Sequence, residues 1–194
     1  MKYILFFDGA CEPTNPGGIA SFGFLLVANG KDITSGKGVV GRGRGFTNNV
    51  AEYEGLIRGL QVVEQQCKQK DLVQVKGDSQ LAIRQMTGKY QVRSPRIIPL
   101  YNRAKKIRNR LRHQGVKVSM IWIPREENWR ADALSHDAFE EYCRKEDLPY
   151  ISCTCGGTLV PRKNKKTDHR FLGCSRFPEC RKTVPYPQKK RQQT

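Results

Sequence analysis

Four carboxylates stand where a folded chain would otherwise avoid charge. Asp8 follows the apolar run Lys2 to Phe7, and Asp78 follows Leu72 to Lys76 and Gly77, at strand ends of the kind where mixed α/β sheets place ligand and catalytic groups. Glu52 lies four residues before Leu56 and eight before Leu60, so helical spacing turns it toward the apolar side rather than toward water. Asp132, with Trp129 at −3 and Phe139 at +7, points the same way on a later helix. Taken singly, each reads more simply as an N-cap, a turn residue or part of a solvated helix face. Together they repel one another unless divalent cations bridge them, and a pair of hard cations on oxygen ligands is the usual device for phosphoryl transfer.

The elements that must position these acids follow from the hydrophobic pattern. Lys2 to Phe7 reads as a buried strand, and Pro13 to Gly18 as a turn. Ile19 to Ala28 and Ile33 to Val40, separated by Asn29-Gly30, read as a hairpin. Thr47 and Asn48 cap a helix to about Gln69, with Leu56, Leu60 and Val63 as its apolar stripe. A strand over Leu72 to Lys76, helices over Ser79 to Met86 and Arg96 to His113, a strand over Val116 to Ile123 and a helix from Asn128 to about Cys143 complete the series. Strands leading and helices alternating afterwards predict an α/β (α+β) mixed sheet flanked by helices. Trp122 and Trp129 read as packing residues.

Composition narrows the partners. The 194 residues carry 35 Lys and Arg against 18 Asp and Glu, a net +17 that attracts polyanions, so nucleic acid is the first partner to consider. Residues 151–194 hold eleven basic and two acidic side chains, or +9 of that charge. No apolar run approaches the ~20 residues of a spanning helix, and the apolar start at Tyr3 to Phe7 stops short of a signal-peptide core. A cytoplasmic protein with no membrane partner is expected, and a monomer. Among the seven cysteines, Cys11, Cys67 and Cys143 are scattered, whereas Cys153, Cys155, Cys174 and Cys180 cluster in a way that suggests metal more than disulfides. The pattern changes beyond Glu146. Residues 1–146 form one expected domain, 147–151 a linker, 152–187 a small second unit and 188–194 a basic tail.

Four segments resemble type 1 ribonuclease H in family order and spacing: Asp8-Gly9-Ala10-Cys11 with Asn15-Pro16-Gly17-Gly18; Thr47-Asn48-Asn49-Val50-Ala51-Glu52; Gly77-Asp78-Ser79-Gln80-Leu81; and Pro124 to Leu134. The resemblance implies a five-stranded ribonuclease H-like sheet and an endonuclease that cuts the RNA strand of an RNA–DNA hybrid. It makes Asp8, Glu52, Asp78 and Asp132 ligands of two magnesium or manganese ions, with 5′-phosphate and 3′-hydroxyl products. It further implies that Cys11, Asn15, Asn48, Asn49 and Gln80 line the minor groove, where 2′-hydroxyls mark RNA, and that Thr47 approaches a DNA-strand phosphate. Two departures stand out. The family's His in the loop before the last carboxylate is absent from Ile123 to Asn128, leaving Glu126, Glu127 or His136 as candidate substitutes. Gly88 to Pro99 is too short for the basic protrusion that some members carry.

Cys153-Thr154-Cys155-Gly156-Gly157 and Gly173-Cys174-Ser175-Arg176-Phe177-Pro178-Glu179-Cys180 resemble the zinc ribbon at the C-terminus of type IA DNA topoisomerases. Paired cysteines around a ~20-residue excursion suit one structural zinc on four thiolates, although the first pair has one intervening residue where two are usual. His169 is an alternative ligand. A unit this small cannot bury a sufficient core, so zinc would supply much of its folding energy. Phe171, Phe177 and Tyr186 interleaved with Arg170, Arg176 and Arg181 suit a single strand or the flank of a hybrid, with a role in affinity rather than chemistry. The competing readings are a related-fold DNA nuclease or strand-transfer enzyme and a non-enzymatic nucleic-acid binder.

Overall fold

Tyr3, Leu5 and Phe7 alternate with less buried neighbours along strand β1 (Lys2–Glu12), which is the central strand of the larger sheet. The structure, a computed structural model, describes residues 1–148, 151–164 and 167–186. Strands β2 (Ile19–Ala28) and β3 (Lys31–Arg42) join through Asn29 and Gly30, both at positive φ, as the Asn-Gly pair requires of a tight hairpin turn. Helix α1 (Asn48–Gln66), strand β4 (Leu72–Gly77), helices α2 (Gln80–Met86) and α3 (Ile97–His113), strand β5 (Lys117–Trp122) and helix α4 (Trp129–Lys145) follow. The sheet order is β3-β2-β1-β4-β5, with β1, β4 and β5 parallel and β2 antiparallel to both its neighbours. This is the mixed, helix-flanked sheet that the pattern predicts.

Two glycines set how closely the helices approach. A Cβ on Gly9 of β1 would lie 2.1 Å from the Glu52 backbone nitrogen, so α1 rests directly on the strand at Glu52. A Cβ on Gly23 of β2 would lie 2.6 Å from the Ala131 carbonyl and from the Ser135 nitrogen of α4. Gly23 pairs with Asp8, and Phe22 with Gly9. Successive strand residues face opposite sides, so α1 and α4 cover opposite faces of β1 and β2. Leu56, Leu60 and Val63 are fully buried, as their spacing implies, in a core shared by β1, α1, β4, α2 and α3.

Several boundaries differ from those read in the sequence, each for a local reason. β1 runs past Asp8 to Glu12, because β2 continues to pair with it as far as Ile19. Asp8 is therefore inside a strand, at the level where the parallel pairing with β4 stops at Phe6 and Lys76. α1 ends at Gln66 rather than Gln69: Cys67 is extended, and the Asp71 carboxylate accepts from the Lys68 N–H in the turn that follows. Trp122 and Trp129 are not core residues, being 43% and 64% exposed. The Trp122 indole N–H instead donates to the Asp78 carbonyl at 3.0 Å.

Beyond α4, strands β6 (Ile151–Ser152), β7 (Thr158–Lys163), β8 (Arg170–Cys174) and β9 (Thr183–Pro185) form a second antiparallel sheet in chain order. Its core is Leu159, Leu172 and the buried cysteines Cys153 and Cys174. The expected linker falls partly on residues 149–150, and the expected basic tail on 188–194, outside the described residues. Among the described residues no helix is long and apolar enough to cross a membrane.

Candidate active site

Asp8 points to the α4 face of the sheet, where the Ser135 hydroxyl donates to it. Glu52 comes from the second turn of α1, the helix that Thr47 caps by accepting the Val50 N–H at 3.3 Å. Asp78 follows β4 immediately, before Ser79 caps α2. The side-chain oxygens of these three acids lie within 4.8 Å of one another. Three elements that are remote in sequence thus deliver three carboxylates to one point, and Asp132 from the first turn of α4 lines the same cleft of about 310 Å³.

The electrostatics are those of an anionic cluster awaiting positive charge. Burial, reinforced by Asp78, pushes the Asp8 carboxyl up to about 7, while the Ser135 hydrogen bond works the other way. Burial drives the Glu52 carboxyl well above its usual range, with Asp8 and Asp78 adding repulsion. Glu52 Oε1 accepts from the Asn48 amide at 3.5 Å, but Oε2 is buried without a hydrogen-bond partner among the described residues. A buried carboxylate oxygen with no donor, beside two more carboxylates, fits a hard divalent cation and little else.

Asp132 differs from the other three. Its Oδ1 accepts from Arg125 Nη2 at 2.6 Å and its Oδ2 from Arg176 Nη2 at 3.1 Å, so two guanidinium groups hold it at the edge of the cluster. Cys11, Asn15 and Asn48 line the cleft, and Asn15 Oδ1 accepts from the Asn48 N–H at 3.1 Å. The Cys11 thiol, 3.2 Å from the Thr14 carbonyl, lies at its base. Asn49 and Gln80 are exposed beside it. Glu126 and Glu127 sit in an exposed 3-10 turn outside the cleft. His136 does not line the cleft: its Nε2 is 3.3 Å from Glu140, its Nδ1 3.9 Å from Glu12, which does, and its ring stacks on Phe139.

Sequence reasoning gave several side chains that build the site no place in it. Asn128 is fully buried and donates from Nδ2 to the Phe7 carbonyl at 2.9 Å and to Asp78 Oδ1 at 2.7 Å, tying β1 to the residue after β4. Ser135 had a signal, since it stands three residues after Asp132 on one helix face. Arg162, Ser175 and Arg176 of the second sheet also line the cleft, and no local pattern in the sequence could place them there.

In the second sheet the sulfurs of Cys153, Cys155, Cys174 and Cys180 gather within 4.8 Å of one another, with Cys153 and Cys180 3.7 Å apart and Cys155 and Cys174 3.3 Å apart. Gly156 at positive φ closes the first turn, so one residue between the first two cysteines suffices. His169, in the exposed hairpin before β8, is not part of the group. Four sulfurs at these separations could hold one metal ion, and four thiolates are a donor set that suits tetrahedral zinc.

Comparison with known proteins places both parts. Residues 6–138 match the family model described as "Reverse transcriptase-like", and residues 151–189 that of the topoisomerase DNA-binding C4 zinc finger. The chain is 32% identical over 141 residues to a bifunctional protein of Mycobacterium tuberculosis, covering 72% of this chain but only 36% of that protein. It is 34% identical over 137 residues to ribonuclease HI of Halobacterium salinarum, covering 70% and 63%. The crystallised N-terminal RNase H domain of the mycobacterial protein superposes with a TM-score of 0.65 at 30% identity, covering 75% of this chain and 98% of that one. LC11-RNase H1 in complex with an RNA/DNA hybrid gives 0.61 at 30% identity, with 72% and 98% coverage. The C-terminal segment is 51% identical over 35 residues, 18% of this chain, to DNA topoisomerase 1 of Pyrococcus horikoshii, of which it covers 5%. With matching folds, matching motifs and the cysteine group in place, the chain belongs to the reverse transcriptase-like family as a ribonuclease H-like domain followed by a topoisomerase-type C4 zinc ribbon.

Proposed function

We propose that this protein is an endonuclease that hydrolyses the RNA strand of RNA–DNA hybrids, leaving 5′-phosphate and 3′-hydroxyl ends. The observation that carries the reading is the meeting of Asp8, Glu52 and Asp78 around the unpartnered Glu52 Oε2, with Asp132 lining the same cleft. A pure binder of nucleic acid gains nothing from clustered acids, which repel phosphate. Asp8, Glu52, Asp78 and Asp132 would hold two magnesium or manganese ions. When bound, such ions supply the charge that lowers the pKa of an attacking water and offsets the charge on the leaving 3′ oxygen.

The chain's own groups do the positioning. Asn128 and Ser135 fix the orientations of Asp78 and Asp8 by hydrogen bonds. Asn15 and Asn48, braced on each other at the cleft wall, present amides to the minor groove with Cys11, and Asn49 and Gln80, exposed outside the cleft lining, extend that contact. Thr47 sits at the N-terminus of α1, where backbone N–H groups and the helix dipole favour a phosphate of the DNA strand. Cys153, Cys155, Cys174 and Cys180 would hold one structural zinc, making residues 152–187 a unit that folds with its metal. The basic ribbon adds grip on nucleic acid.

Labelled RNA–DNA hybrid, duplex DNA and duplex RNA, each incubated with and without magnesium, separate the readings. Magnesium-dependent cutting of the hybrid alone is expected. Cleavage or joining of duplex DNA would favour a strand-transfer enzyme, and binding without any cleavage a nucleic-acid binder.

A further inference from the structure

Arg176 belongs to the zinc ribbon by sequence and to the catalytic cleft by position. It follows Cys174 by two residues, and its backbone N–H is 3.4 Å from the Cys174 sulfur. Its Nη1 donates to the Cys155 carbonyl at 3.0 Å, while Nη2 donates to Asp132 Oδ2 at 3.1 Å. The guanidinium thus spans the cysteine group and a carboxylate of the candidate catalytic set. Arg162, on β7, lines the same cleft and donates to the Cys174 carbonyl at 2.9 Å, so a second cation of the ribbon is tied to the same turn. The ribbon also rests along α4: the Ser152 hydroxyl donates to Glu140 at 3.2 Å, and Thr158 and Leu159 share a hollow with Phe139, Cys143 and Leu148.

We propose that Arg176 is a substrate-binding residue of the active site, contributed by the ribbon, whose guanidinium takes a phosphate of the nucleic-acid backbone beside the cleavage point. This rests on the hybrid-nuclease reading. The planar fork of an arginine matches a phosphate as well as it matches a carboxylate, and the ligand entering this cleft is a chain of phosphates. In the free protein Asp132 holds the place of that phosphate. The exchange leaves Asp132 with Arg125 and frees its Oδ2 in the cleft it shares with Asp8, Glu52 and Asp78. Because both ends of Arg176 depend on the turn between Cys155 and Cys174, a folded ribbon is required for this contact. The ribbon therefore completes the cleft besides adding charge at a distance.

Arg176→Ala and Arg176→Lys test the assignment, with zinc content measured first to show that the ribbon is intact. Hybrid cleavage is followed over a salt series, and hybrid affinity by fluorescence anisotropy in the Asp78→Asn background. Loss of a charged hydrogen bond to phosphate lowers kcat/KM for Arg176→Ala by about ten- to a hundredfold, mostly through KM. It also flattens the slope of log affinity against log salt by about one unit, the share of one phosphate contact. Arg176→Lys, which keeps the charge but not the fork, retains the salt slope and recovers only part of kcat/KM; if Arg176→Ala loses zinc, this variant and its slope decide. Faster cleavage by Arg176→Ala with unchanged affinity would overturn the proposal in favour of a contact that only masks Asp132. Wild-type kinetics and slope in both variants would overturn it outright. Failure of the wild-type chain to cut hybrid would instead sink the nuclease reading on which it rests.

Discussion

The cation binding proposed for Asp8 and Glu52 has a signature in the stability of the fold. Each carboxyl holds its proton more tightly folded than unfolded, Asp8 up to about 7, with burial as the main cause. The stability they contribute is full below the ordinary carboxylate range near 4 and is lost as pH rises through the folded values. Without divalent cations, thermal stability is therefore expected to fall between about pH 4 and pH 7. Added magnesium should raise Tm by several degrees more at pH 8 than at pH 5, since about 1 kcal/mol moves Tm by roughly 2–4 °C at this chain length. Calorimetry at the two pH values checks this, and an equal gain at both would count against cation binding by this pair. Asp8→Asn removes one of the repelling charges, so it should raise Tm at pH 8 in the absence of cations while abolishing cleavage. Asp78→Asn should abolish cleavage with hybrid affinity near normal, because it removes a ligand charge but keeps size; near-wild-type turnover would contradict its role.

At the level of elements, the site depends on how closely helices can approach the sheet. Gly23→Ala would place a methyl 2.6 Å from the Ala131 carbonyl and push α4 off β2. A cost of about 1–3 kcal/mol in denaturant unfolding is expected, with a larger loss of cleavage, because Ser135 and Asp132 move with the helix. Asn128→Ala should cost a similar ~1–3 kcal/mol by leaving the Phe7 carbonyl and Asp78 without their donor. Helical spacing turned Glu52 and Asp132 inward and the end of β4 located Asp78, but spacing alone also allowed caps and turn residues for each; the four motifs in order were what singled the acids out together. Asn128 was not, because its position looks like a helix cap and its real partners lie 50 and 121 residues away. The run of β1 beyond Asp8 was hidden for a related reason: a strand ends where its partner ends, and the partner's register is not written in β1. Trp129 was misjudged by pattern, since a helical position says which face a residue shares but not whether that face meets a neighbour.

The whole molecule is a ribonuclease H-like sheet with a basic ribbon laid along α4, and the joint between them lies at the cleft. Charge composition marked the ribbon as strongly basic, whereas its docking depended on three-dimensional fit and left no trace in local sequence. Chelation strong enough to strip zinc should unfold the ribbon and leave the five-stranded sheet intact, because the core of β1, α1, β4, α2 and α3 contains none of the four clustered cysteines. Loss of one zinc per chain with retained far-ultraviolet helical signal would show it; global unfolding would contradict it. The central claim, that the carboxylate cluster cuts RNA opposite DNA, is tested most directly by a hybrid labelled separately on each strand and digested in magnesium by the wild-type protein and by Asp78→Asn. The expected result is cleavage of the RNA strand alone, with 5′-phosphate ends, by the wild type and none by Asp78→Asn. Cleavage of the DNA strand, or cutting that survives Asp78→Asn, would contradict it.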